Sequence, residues 1–310
     1  MRLLTVLLLA APVLAGDYKP QPGSHAVAVL ETLELKGLPL RVTYPKESGK
    51  YPVIVFSHGL YGSKDGYQPL ARFWAAHGYV CIQPTHPDSL QLGFQTRVQA
   101  MRAWEKRPRQ VALVLDSLAA IEKKIACRLD ADRIGVGGHS FGAHTAQLLG
   151  GTTARGKSFA DRRVKCVLLL SPQGKGTLFR EDSWSTLTKP VLILTGSNDT
   201  GRNGQRPEWR LDPYKYSPKG DRYLVWIEGA HHGFGGISGA KWRGAGPRND
   251  EHVRIVRQAS LAFFDAFVKG DWKAKAWLRA GKLADRKVRC GNKVPATEST
   301  APADRPSPAR

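Results

Sequence analysis

Residues 138–142 read GHSFG, the pattern of a serine nucleophile at a sharp turn between a strand and a helix. An apolar run, 133–137, precedes them, and a short helical pattern begins at Ala143. In such a turn the serine takes a strained backbone conformation that exposes its Oγ, and the flanking glycines let the strand and the helix approach closely. A bare G-x-S-x-G occurs by chance in a chain with 32 Gly, so the elements around it carry the argument. Ser140 is therefore predicted to be a nucleophile for acyl transfer.

A serine nucleophile needs a histidine base, which in this kind of sheet follows both the serine and an acid along the chain. Four histidines come after the serine, namely His144, His231, His232 and His252. His144 lies in the helix directly after the turn and cannot reach back to Ser140, and His252 begins the last helical segment. The other two stand in the glycine-rich loop 229–234, after the strand-like run 223–227. The order of residues thus predicts His232 or His231 as the base.

The acid is expected just past the strand that lies between the serine and the histidine. The run 191–195 leads into Gly-Ser-Asn-Asp, which places Asp199 at the C-terminal end of a strand. There a carboxylate can accept the Nδ1–H of the histidine and hold the ring in one tautomer. An aspartate after a strand is also a common turn former, and only its combination with Ser140 and the histidine loop favours the catalytic interpretation. Four other carboxylates lack such a position, namely Asp182, Asp212, Asp221 and Glu228.

Acyl transfer also needs hydrogen-bond donors for the oxyanion of the tetrahedral intermediate, and loss of one donor typically costs about 10²- to 10³-fold in rate. One donor is expected to be the backbone N–H of Phe141, the residue after the nucleophile. The other is expected from the loop after the strand 52–57, which continues as HGLYGS. The Leu60 N–H is our candidate, with Gly59 allowing the tight turn. His58 precedes the serine in the chain and is expected to order this loop rather than to act as the base.

The elements that must position these residues alternate between two types. Short apolar, β-branched runs predict buried strands at 52–57, 80–83, 133–137, 164–170, 191–195 and 223–227. Helical patterns occur at 67–77, 110–124, 143–149 and 251–268. Strands that alternate with helices predict an α/β fold, with a mostly parallel central sheet and helices on both faces. An earlier pair of runs, 26–35 and 38–44, predicts an antiparallel hairpin at the sheet edge.

One catalytic domain is predicted over residues 22–285, because no internal repeat and no Pro/Gly/Ser-rich linker interrupts it. The stretch 171–190, between the strand after the serine and the strand before the acid, has only 20 residues. That leaves no room for a large cap domain, so we expect an open site. The segment 200–222 is rich in Gly, Pro and Arg, and forms either an aromatic, positively charged rim or an ordinary solvated loop.

Both ends of the chain have the composition of segments outside the domain. An apolar run after the first two residues, ending in small side chains, predicts a signal peptide over 1–15 and a linker over 16–21. The run is shorter than the roughly 20 residues of a spanning helix, so we expect a secreted or periplasmic protein without a transmembrane segment. Residues 286–310 begin with a basic cluster and continue with Pro, Ala and Ser, which predicts a disordered tail.

The chain has four cysteines, Cys81, Cys127, Cys166 and Cys290. In an exported protein they permit up to two disulfides, and the sequence does not rank the possible pairings. Cys81 and Cys166 lie in strand-like runs and are candidates for free buried thiols. None has the C-x-x-C or Cys/His spacing of a zinc site, so we predict no metal.

The charge balance bears on partners rather than on chemistry. With 47 Lys plus Arg against 26 Asp plus Glu, the formal charge is +21 and the pI is about 10.1. The 42% of hydrophobic residues nevertheless permits a real core and excludes wholesale disorder and a disulfide-dense miniprotein. The basic residues are dispersed and no nucleic-acid reader motif is present, so nucleic acid is not an expected partner. An anionic surface is a candidate partner.

Four segments together resemble the α/β-hydrolase superfamily. They are 53–63 (VIVFSHGLYGS), 133–145 (RIGVGGHSFGAHT), 190–199 (PVLILTGSND) and 229–234 (GAHHGF). The branch that contains platelet-activating-factor acetylhydrolases, dienelactone-hydrolase-like proteins and cutinase-like polyesterases is most similar, over about residues 26–268. The chain differs from dienelactone hydrolases proper, whose nucleophile is a cysteine. It also differs from the polyesterases, which have an aromatic residue where this chain has Leu60.

The resemblance implies the α/β-hydrolase fold and favours His232 over His231, because the family expects a His-Gly-Phe continuation. It implies cleavage of carboxylic esters through an acyl-enzyme on Ser140, with Asp199 orienting the histidine and with no cofactor. The expected substrate is a small or lipid-like ester with a short acyl group. Two alternatives stay open. One is a polyester or cutinase-like hydrolase, and the other is an inactive hydrolase-like scaffold that binds an anionic polymer through its basic surface.

Overall fold

The computed structural model describes residue 18 and residues 22–93, 96–239, 242, 244–284 and 288–293. Within them one sheet has nine strands, β1 (Val27–Leu35), β2 (Leu38–Pro45), β3 (Lys50–Ser57), β4 (Val80–Pro84), β5 (Arg128–His139), β6 (Val164–Leu170), β7 (Val191–Asn198), β8 (Gly220–His231) and β9 (Val288–Lys293). Their order is β1-β2-β4-β3-β5-β6-β7-β8-β9. The β1–β2, β2–β4 and β8–β9 pairs are antiparallel and the others parallel. The predicted mostly parallel sheet is confirmed, with the early hairpin at its edge.

The helices connect the strands. They are α1 (Gln68–Ala76), α2 (Arg97–Met101), α3 (Lys106–Asp116), α4 (Leu118–Glu122), α5 (Phe141–Gly150), α6 (Asp212–Tyr216), α7 (Asp250–Phe264) and α8 (Trp272–Arg279). The helix predicted over 110–124 is divided at Ser117 into α3 and α4, and a π-helical turn, Asp265–Lys269, continues α7. Between β6 and β7 the chain contains a single short 3₁₀ helix, Glu181–Trp184, in place of a cap domain.

Alternating side chains along the strands bury the two faces of the sheet in separate hydrophobic clusters. Val53 and Val55 of β3 pack in a cluster with α3, α4 and α5, whereas Ile54 and Phe56 pack in one with α1, α7 and α8. Consecutive strand residues point to opposite faces. A strand covered on both faces is therefore apolar at every position, which is why these strands appear in the sequence as continuous apolar runs.

The end of the domain differs from the prediction. Residues 288–293 were expected to lie in the disordered tail, but they form β9, which pairs with β8 and buries Val288. The segment VRCGNK lacks the apolar run on which strand prediction depends. It gains its backbone hydrogen bonds from the edge of β8, which is a tertiary contact that local sequence does not report. The remainder of the expected tail, 286–287 and 294–310, lies outside the described residues.

The predicted signal peptide, 1–15, also lies outside the described residues, as does the linker 16–21 apart from Tyr18. Tyr18 donates a hydrogen bond from its hydroxyl to Asp265 at 2.7 Å, which ties this residue to the end of α7. None of the helices in the described ranges combines the length and apolarity that a membrane crossing requires.

Cys81, Cys127 and Cys166 are free, buried thiols. None of the pairings that the sequence permitted is therefore formed. Cys81 and Cys166 are buried in the sheet as expected, and burial raises the pKa of both thiols far above its ordinary value.

Candidate active site

Ser140 occupies the turn between β5 and α5 with backbone angles φ 54° and ψ −117°. A positive φ is strained for a residue other than glycine, and the neighbouring glycines explain how the fold accommodates it. A Cβ at position 138 would lie 2.2 Å from the Gly142 carbonyl group, and one at position 142 would lie 1.9 Å from the Ser57 carbonyl oxygen. Only glycine fits at both positions. The strand, turn and helix therefore pack as the GHSFG pattern predicts, and Ser140 is left partly exposed.

The loop 58–62 after β3, here called the oxyanion loop, leaves one backbone donor free. Of the N–H groups from position 59 to 62, only that of Leu60 has no acceptor in the part of the chain that the structure describes. The N–H groups at 59, 61 and 62 donate, in turn, to the Tyr67 hydroxyl (3.1 Å), the Asp88 carboxylate (3.4 Å) and the Gly59 carbonyl (3.0 Å). Phe141 is the first residue of α5, where N–H groups have no acceptor within the helix. Both predicted oxyanion donors are thus in positions that leave them available.

Asp199 lies just past β7 with none of its side chain exposed. Its Oδ1 accepts from His232 Nδ1 at 2.7 Å and pairs with Arg210 Nε at 2.8 Å, and its Oδ2 accepts from the hydroxyls of Ser171 (2.5 Å) and Thr195 (2.9 Å). Burial would raise the pKa of this carboxyl. The Arg210 charge and the bonds from His232 and Ser171 outweigh burial and hold the pKa well below its ordinary value. Asp199 is therefore ionised and fully hydrogen-bonded.

The structure joins Asp199 to His232 and places His231 elsewhere. His231 ends β8 beside Asn198, whose side-chain nitrogen is 3.3 Å from its Nε2. The His232 side chain remains 17% exposed, so a solute can reach the histidine but not the buried carboxylate. Burial, together with the charges of Arg210 and Arg202, keeps the pKa of His232 below its ordinary value in spite of Asp199. The ring is accordingly neutral near pH 7, with Nδ1–H directed at Asp199 and Nε2 free to accept a proton.

Ser140 follows the end of β5, which is separated from β7 in the sheet by β6. The ring of His139, the residue before Ser140, has its centroid 4.7 Å from that of His232, and His139 Nε2 is 2.7 Å from the His232 carbonyl oxygen. No hydrogen bond joins Ser140 to His232 in the structure, although both residues are described. A contact of this kind is often long without substrate and shortens when substrate binds. The arrangement thus brings the predicted acid and base into contact and leaves the predicted nucleophile beside them.

Ser171 is a residue of this site that the sequence did not reveal. Its Oγ lies 2.5 Å from Asp199 and 2.6 Å from His232 Nδ1, and its backbone φ is 54°. It is completely buried, unlike Ser140, and its hydroxyl is occupied by the carboxylate. Ser171 therefore supports Asp199, and its burial makes it unsuited to attack a substrate. The only sequence signal was the Ser-Pro pair that directly follows β6, which does not distinguish a turn from a functional residue.

Arg210 was also missed. Its side chain is only 4% exposed, and besides Asp199 it donates to the carbonyl oxygens of Ser171 (3.1 Å), Pro172 (3.1 Å) and Thr200 (3.1 Å). In the sequence it is one of several arginines in 200–222, the segment expected to be a rim or a solvated loop. Its burial depends on the 3₁₀ helix Pro207–Leu211, which packs against β7. Composition alone does not separate a buried arginine from an exposed one.

A buried chain of hydrogen bonds connects the oxyanion loop to the histidine loop. The Gly59 N–H donates to the Tyr67 hydroxyl, which is 2.8 Å from His139 Nδ1. Burial and the neighbouring His232 lower the pKa of His139 to about 3, so its ring is neutral. His139 Nε2–H then donates to the His232 carbonyl oxygen, and Nδ1 accepts from Tyr67. The second residue of GHSFG thus holds two loops at fixed separation.

Apolar side chains surround the site at the surface. The indole of Trp242 stands edge-on to the His232 ring, with centroids 5.6 Å apart, and is 36% exposed. Leu90 and Leu92 are 52% and 53% exposed, and the Leu90 N–H bonds the Tyr61 carbonyl at the end of the oxyanion loop. We call Tyr61, Leu90, Leu92 and Trp242 the apolar rim. Within the described ranges no group of three or more His, Cys, Asp or Glu side chains is placed to hold a metal ion.

Comparisons with known proteins agree with this geometry. A family model described as chlorophyllase matches residues 15–158, slightly less than half of the chain. The platelet-activating factor acetylhydrolase of Cavia porcellus is 24% identical over 290 residues, which cover 77% of this chain and 63% of that protein. Cutinase est2 of Thermobifida alba is 28% identical over 252 residues, 79% of this chain and 70% of that protein. Chlorophyllase type 0 of Chenopodium album is 26% identical over 156 residues, 43% of each chain.

These relatives are all α/β-hydrolases, and the strand order with a serine at the β5–α5 turn matches that fold. The chain has the α/β-hydrolase fold and is similar to these proteins. The predicted resemblance, including its branch, is confirmed. The chain spans less than two thirds of the length of the Cavia porcellus protein.

Proposed function

We propose that the chain is a serine hydrolase that cleaves carboxylic esters through an acyl-enzyme. The observation that carries the proposal is the neutral, partly exposed His232, hydrogen-bonded to buried Asp199 at 2.7 Å beside the strained turn of Ser140. The relatives named as an acetylhydrolase, cutinases and chlorophyllases support ester cleavage as the reaction. Besides the ester and water, no step requires a group that this chain does not supply.

In the first step His232 removes the proton from Ser140 Oγ through Nε2, because Nδ1 is occupied by Asp199. The serine oxygen attacks the ester carbonyl carbon, and the carbonyl oxygen becomes an oxyanion. We assign the two donors to this oxyanion as the N–H of Leu60 and the N–H of Phe141. Protonated His232 then gives its proton to the leaving alcohol, and the acyl group stays on Ser140.

In the second step a water molecule takes the place of Ser140 as the attacking group. His232 takes a proton from the water, the hydroxyl oxygen attacks the acyl-enzyme, and Ser140 recovers its proton as the acid leaves. Asp199 stays ionised throughout and stabilises the imidazolium that forms twice in each cycle. Its depressed pKa, which the Arg210 charge and the hydrogen bonds from His232 and Ser171 produce against the effect of burial, suits this role.

For the substrate we propose a small or lipid-like ester with a short acyl group, in a secreted or periplasmic enzyme with the signal peptide 1–15. The absence of a cap between β6 and β7 supports access from solvent. The apolar rim supports a substrate with an apolar part. The same rim favours a second candidate, a polyester or cutinase-like hydrolase, because an exposed apolar edge suits a polymer chain that cannot enter a closed pocket.

The test is Ser140→Ala assayed with a chromogenic ester. We expect kcat to fall by at least about 10⁴-fold, because removal of the nucleophile leaves only binding and the oxyanion donors. A fluorophosphonate probe followed by peptide mapping should label Ser140 and leave buried Ser171 unlabelled. Activity near the wild-type level in the variant, or labelling elsewhere, would refute the assignment. Retention on an anionic matrix without labelling would instead favour the inactive scaffold.

The substrate class needs a separate measurement. Esters graded in acyl length, assayed beside a phospholipid, a lactone and a polyester film, separate the candidates. We expect the highest kcat/KM with short acyl chains in solution. Release of monomer from the film at a rate comparable to soluble esters would favour the polyester alternative.

A further inference from the structure

A second buried arginine lies behind the oxyanion loop. Arg107 of α3 has no exposed surface, and neither has its ion-pair partner Asp88. The pair is bidentate, with Nε at 2.8 Å and one terminal nitrogen at 2.6 Å from the two carboxylate oxygens. The remaining donors of the guanidinium reach backbone carbonyls of the loop, that of His58 at 2.7 Å and that of Gly59 at 3.3 Å.

The Gly59 carbonyl belongs to the same peptide unit as the Leu60 N–H. That unit is planar and trans, so the C=O and the N–H point in opposite directions. Three donors hold the Gly59 carbonyl, namely Arg107 at 3.3 Å, His58 Nδ1 at 2.6 Å and the Gly62 N–H at 3.0 Å. Holding the carbonyl on the inner side fixes the Leu60 N–H on the outer side, where it has no partner in the described part of the chain.

Two further contacts support the loop, one through His58 and one through Phe141. The His86 N–H donates to His58 Nε2 at 2.9 Å, which leaves the proton of His58 on Nδ1 for the Gly59 carbonyl. The Arg107 guanidinium also lies 4.5 Å from the ring centre of Phe141, the residue that carries the second oxyanion donor. A single side chain therefore touches both halves of the proposed oxyanion hole from behind.

We propose that Arg107, held by Asp88, is a positioning residue that directs the Leu60 N–H toward the developing oxyanion. The inference rests on the proposed function. Arg107 is fully buried and does not contact substrate, so its effect passes through the peptide unit between Gly59 and Leu60. Lysine cannot replace it, because one ammonium does not present the planar set of donors that binds a carboxylate and two carbonyls together.

The experiment compares three variants of the full chain. Arg107→Lys keeps the charge beside Asp88. Arg107→Met combined with Asp88→Leu removes the pair and fills the space with apolar groups, since such replacements of buried pairs are often tolerated. Arg222→Met is the matched control. Arg222 is another buried arginine that donates to a backbone carbonyl, that of Leu187 at 2.5 Å.

Each variant is assayed with an ester and with the corresponding thionoester, whose C=S sulfur accepts hydrogen bonds weakly. For Arg107→Lys and for the double variant we expect kcat for the ester to fall about 10- to 100-fold, with KM changed less than about twofold, because the weakened contact acts in the transition state. The thionoester rate should change little, so the ester-to-thionoester ratio falls. Arg222→Met should unfold at lower urea concentration with the same ratio as the wild type.

Two results would overturn the inference. One is a double variant that regains wild-type kcat along with its stability, which would mean that the pair only stabilises the fold. The other is an equal loss for both substrates in Arg107→Lys. Fluorophosphonate labelling of wild-type Ser140 is measured first. If that labelling is absent the proposed function fails, whereas labelling with an unchanged ratio rejects only the role of Arg107.

Discussion

Two buried arginine–aspartate pairs flank the Ser140 turn, and they are built alike. Arg210 with Asp199 lies behind the histidine, and Arg107 with Asp88 lies behind the oxyanion loop. In each pair the guanidinium also donates to backbone carbonyls of a nearby loop. Taking charges out of water is costly, and a buried pair recovers that cost only with good geometry and additional hydrogen bonds. Both pairs meet this condition, so both can hold loops that have little secondary structure of their own.

The pairs differ in what else the carboxylate binds. Asp199 accepts from the titratable, partly exposed His232, whereas Asp88 accepts from the Tyr61 backbone N–H, which does not titrate. The first carboxylate can therefore stabilise a charge that appears and disappears during a reaction. The second can only maintain a shape. A buried pair of this kind can thus stabilise a changing charge or fix the position of a loop, depending on the third group that its carboxylate binds.

The largest expected difference is between Asp199→Asn and Asp88→Asn. We expect kcat to fall about 10⁴-fold in the first, because an amide neither fixes the histidine tautomer nor stabilises the imidazolium. The second should lose less than about 10²-fold, since only the position of an oxyanion donor changes. Both variants leave an arginine buried without a charged partner, so each should lose about 3 to 5 kcal/mol of unfolding free energy.

Kinetic assays beside urea unfolding check this pair of variants. The stability loss that they share serves as the internal control. If Asp88→Asn loses as much kcat as Asp199→Asn while it remains folded, the distinction between the two pairs is wrong.

Ser171→Ala should reduce kcat by about 10- to 100-fold, because a hydrogen bond to a charged group contributes about 1.5 to 3 kcal/mol. The hydroxyl bonds Asp199 and lies beside His232 Nδ1, so its loss loosens the acid–base contact and leaves KM unchanged. Thr195→Val is a useful companion, since it removes the other hydroxyl on Asp199 and not the contact with the histidine. Equal effects of the two substitutions would show that Ser171 acts only on the carboxylate.

The variant His144→Phe tests how a buried, neutral histidine near Arg107 affects the stability of the fold. Burial, and then the Arg107 charge, lower the pKa of His144 to about 3, and its Nε2 has no hydrogen-bond partner in the described part of the chain. Between the unfolded value near 6.5 and the folded value, the unfolded chain binds a proton that the folded chain does not. Unfolding free energy is therefore lost as pH falls through this window, by about 2 kcal/mol for this group between pH 7 and 5.

Urea midpoints measured from pH 7 to pH 5 check this expectation. The phenylalanine variant should lose about that much less stability than the wild type over the same range. Parallel pH dependences of the two proteins would contradict it.

Arg202→Gln should have the smallest effect. Arg202 is exposed, and its charge is one of those that lower the pKa of His232. Removing the charge should raise that pKa by a few tenths of a unit at low salt, since solvent screens an exposed charge. The acid limb of the kcat/KM profile then moves to higher pH, because the reaction needs neutral His232. Arg202→Lys and Arg107→Lys keep the positive charge, so the acid limb should stay at the same pH. A shift of the limb in Arg107→Lys would show that the Arg107–Asp88 pair influences the pKa of His232.

Much of this fold is predictable from local patterns, because both faces of the central strands are covered. The runs at 52–57, 164–170 and 191–195 are continuous apolar segments for that reason, and each appears as a strand. β9 escaped prediction, since its hydrogen bonds come from β8 rather than from any pattern of its own. The break between α3 and α4 at Ser117 escaped for a related reason, because an unbroken helical pattern continues across it.

The sequence by itself determined the positions of Ser140 and Asp199 at strand ends and the two glycines that the turn requires, because steric limits on the backbone are local. It left two histidines for one position, and the structure places His232 and not His231 on Asp199. Only the tertiary structure brought Ser171 and the two buried arginines to the site. Whether a polar side chain is buried depends on residues that are distant in sequence, and burial is what turns a common serine or arginine into part of a charged network.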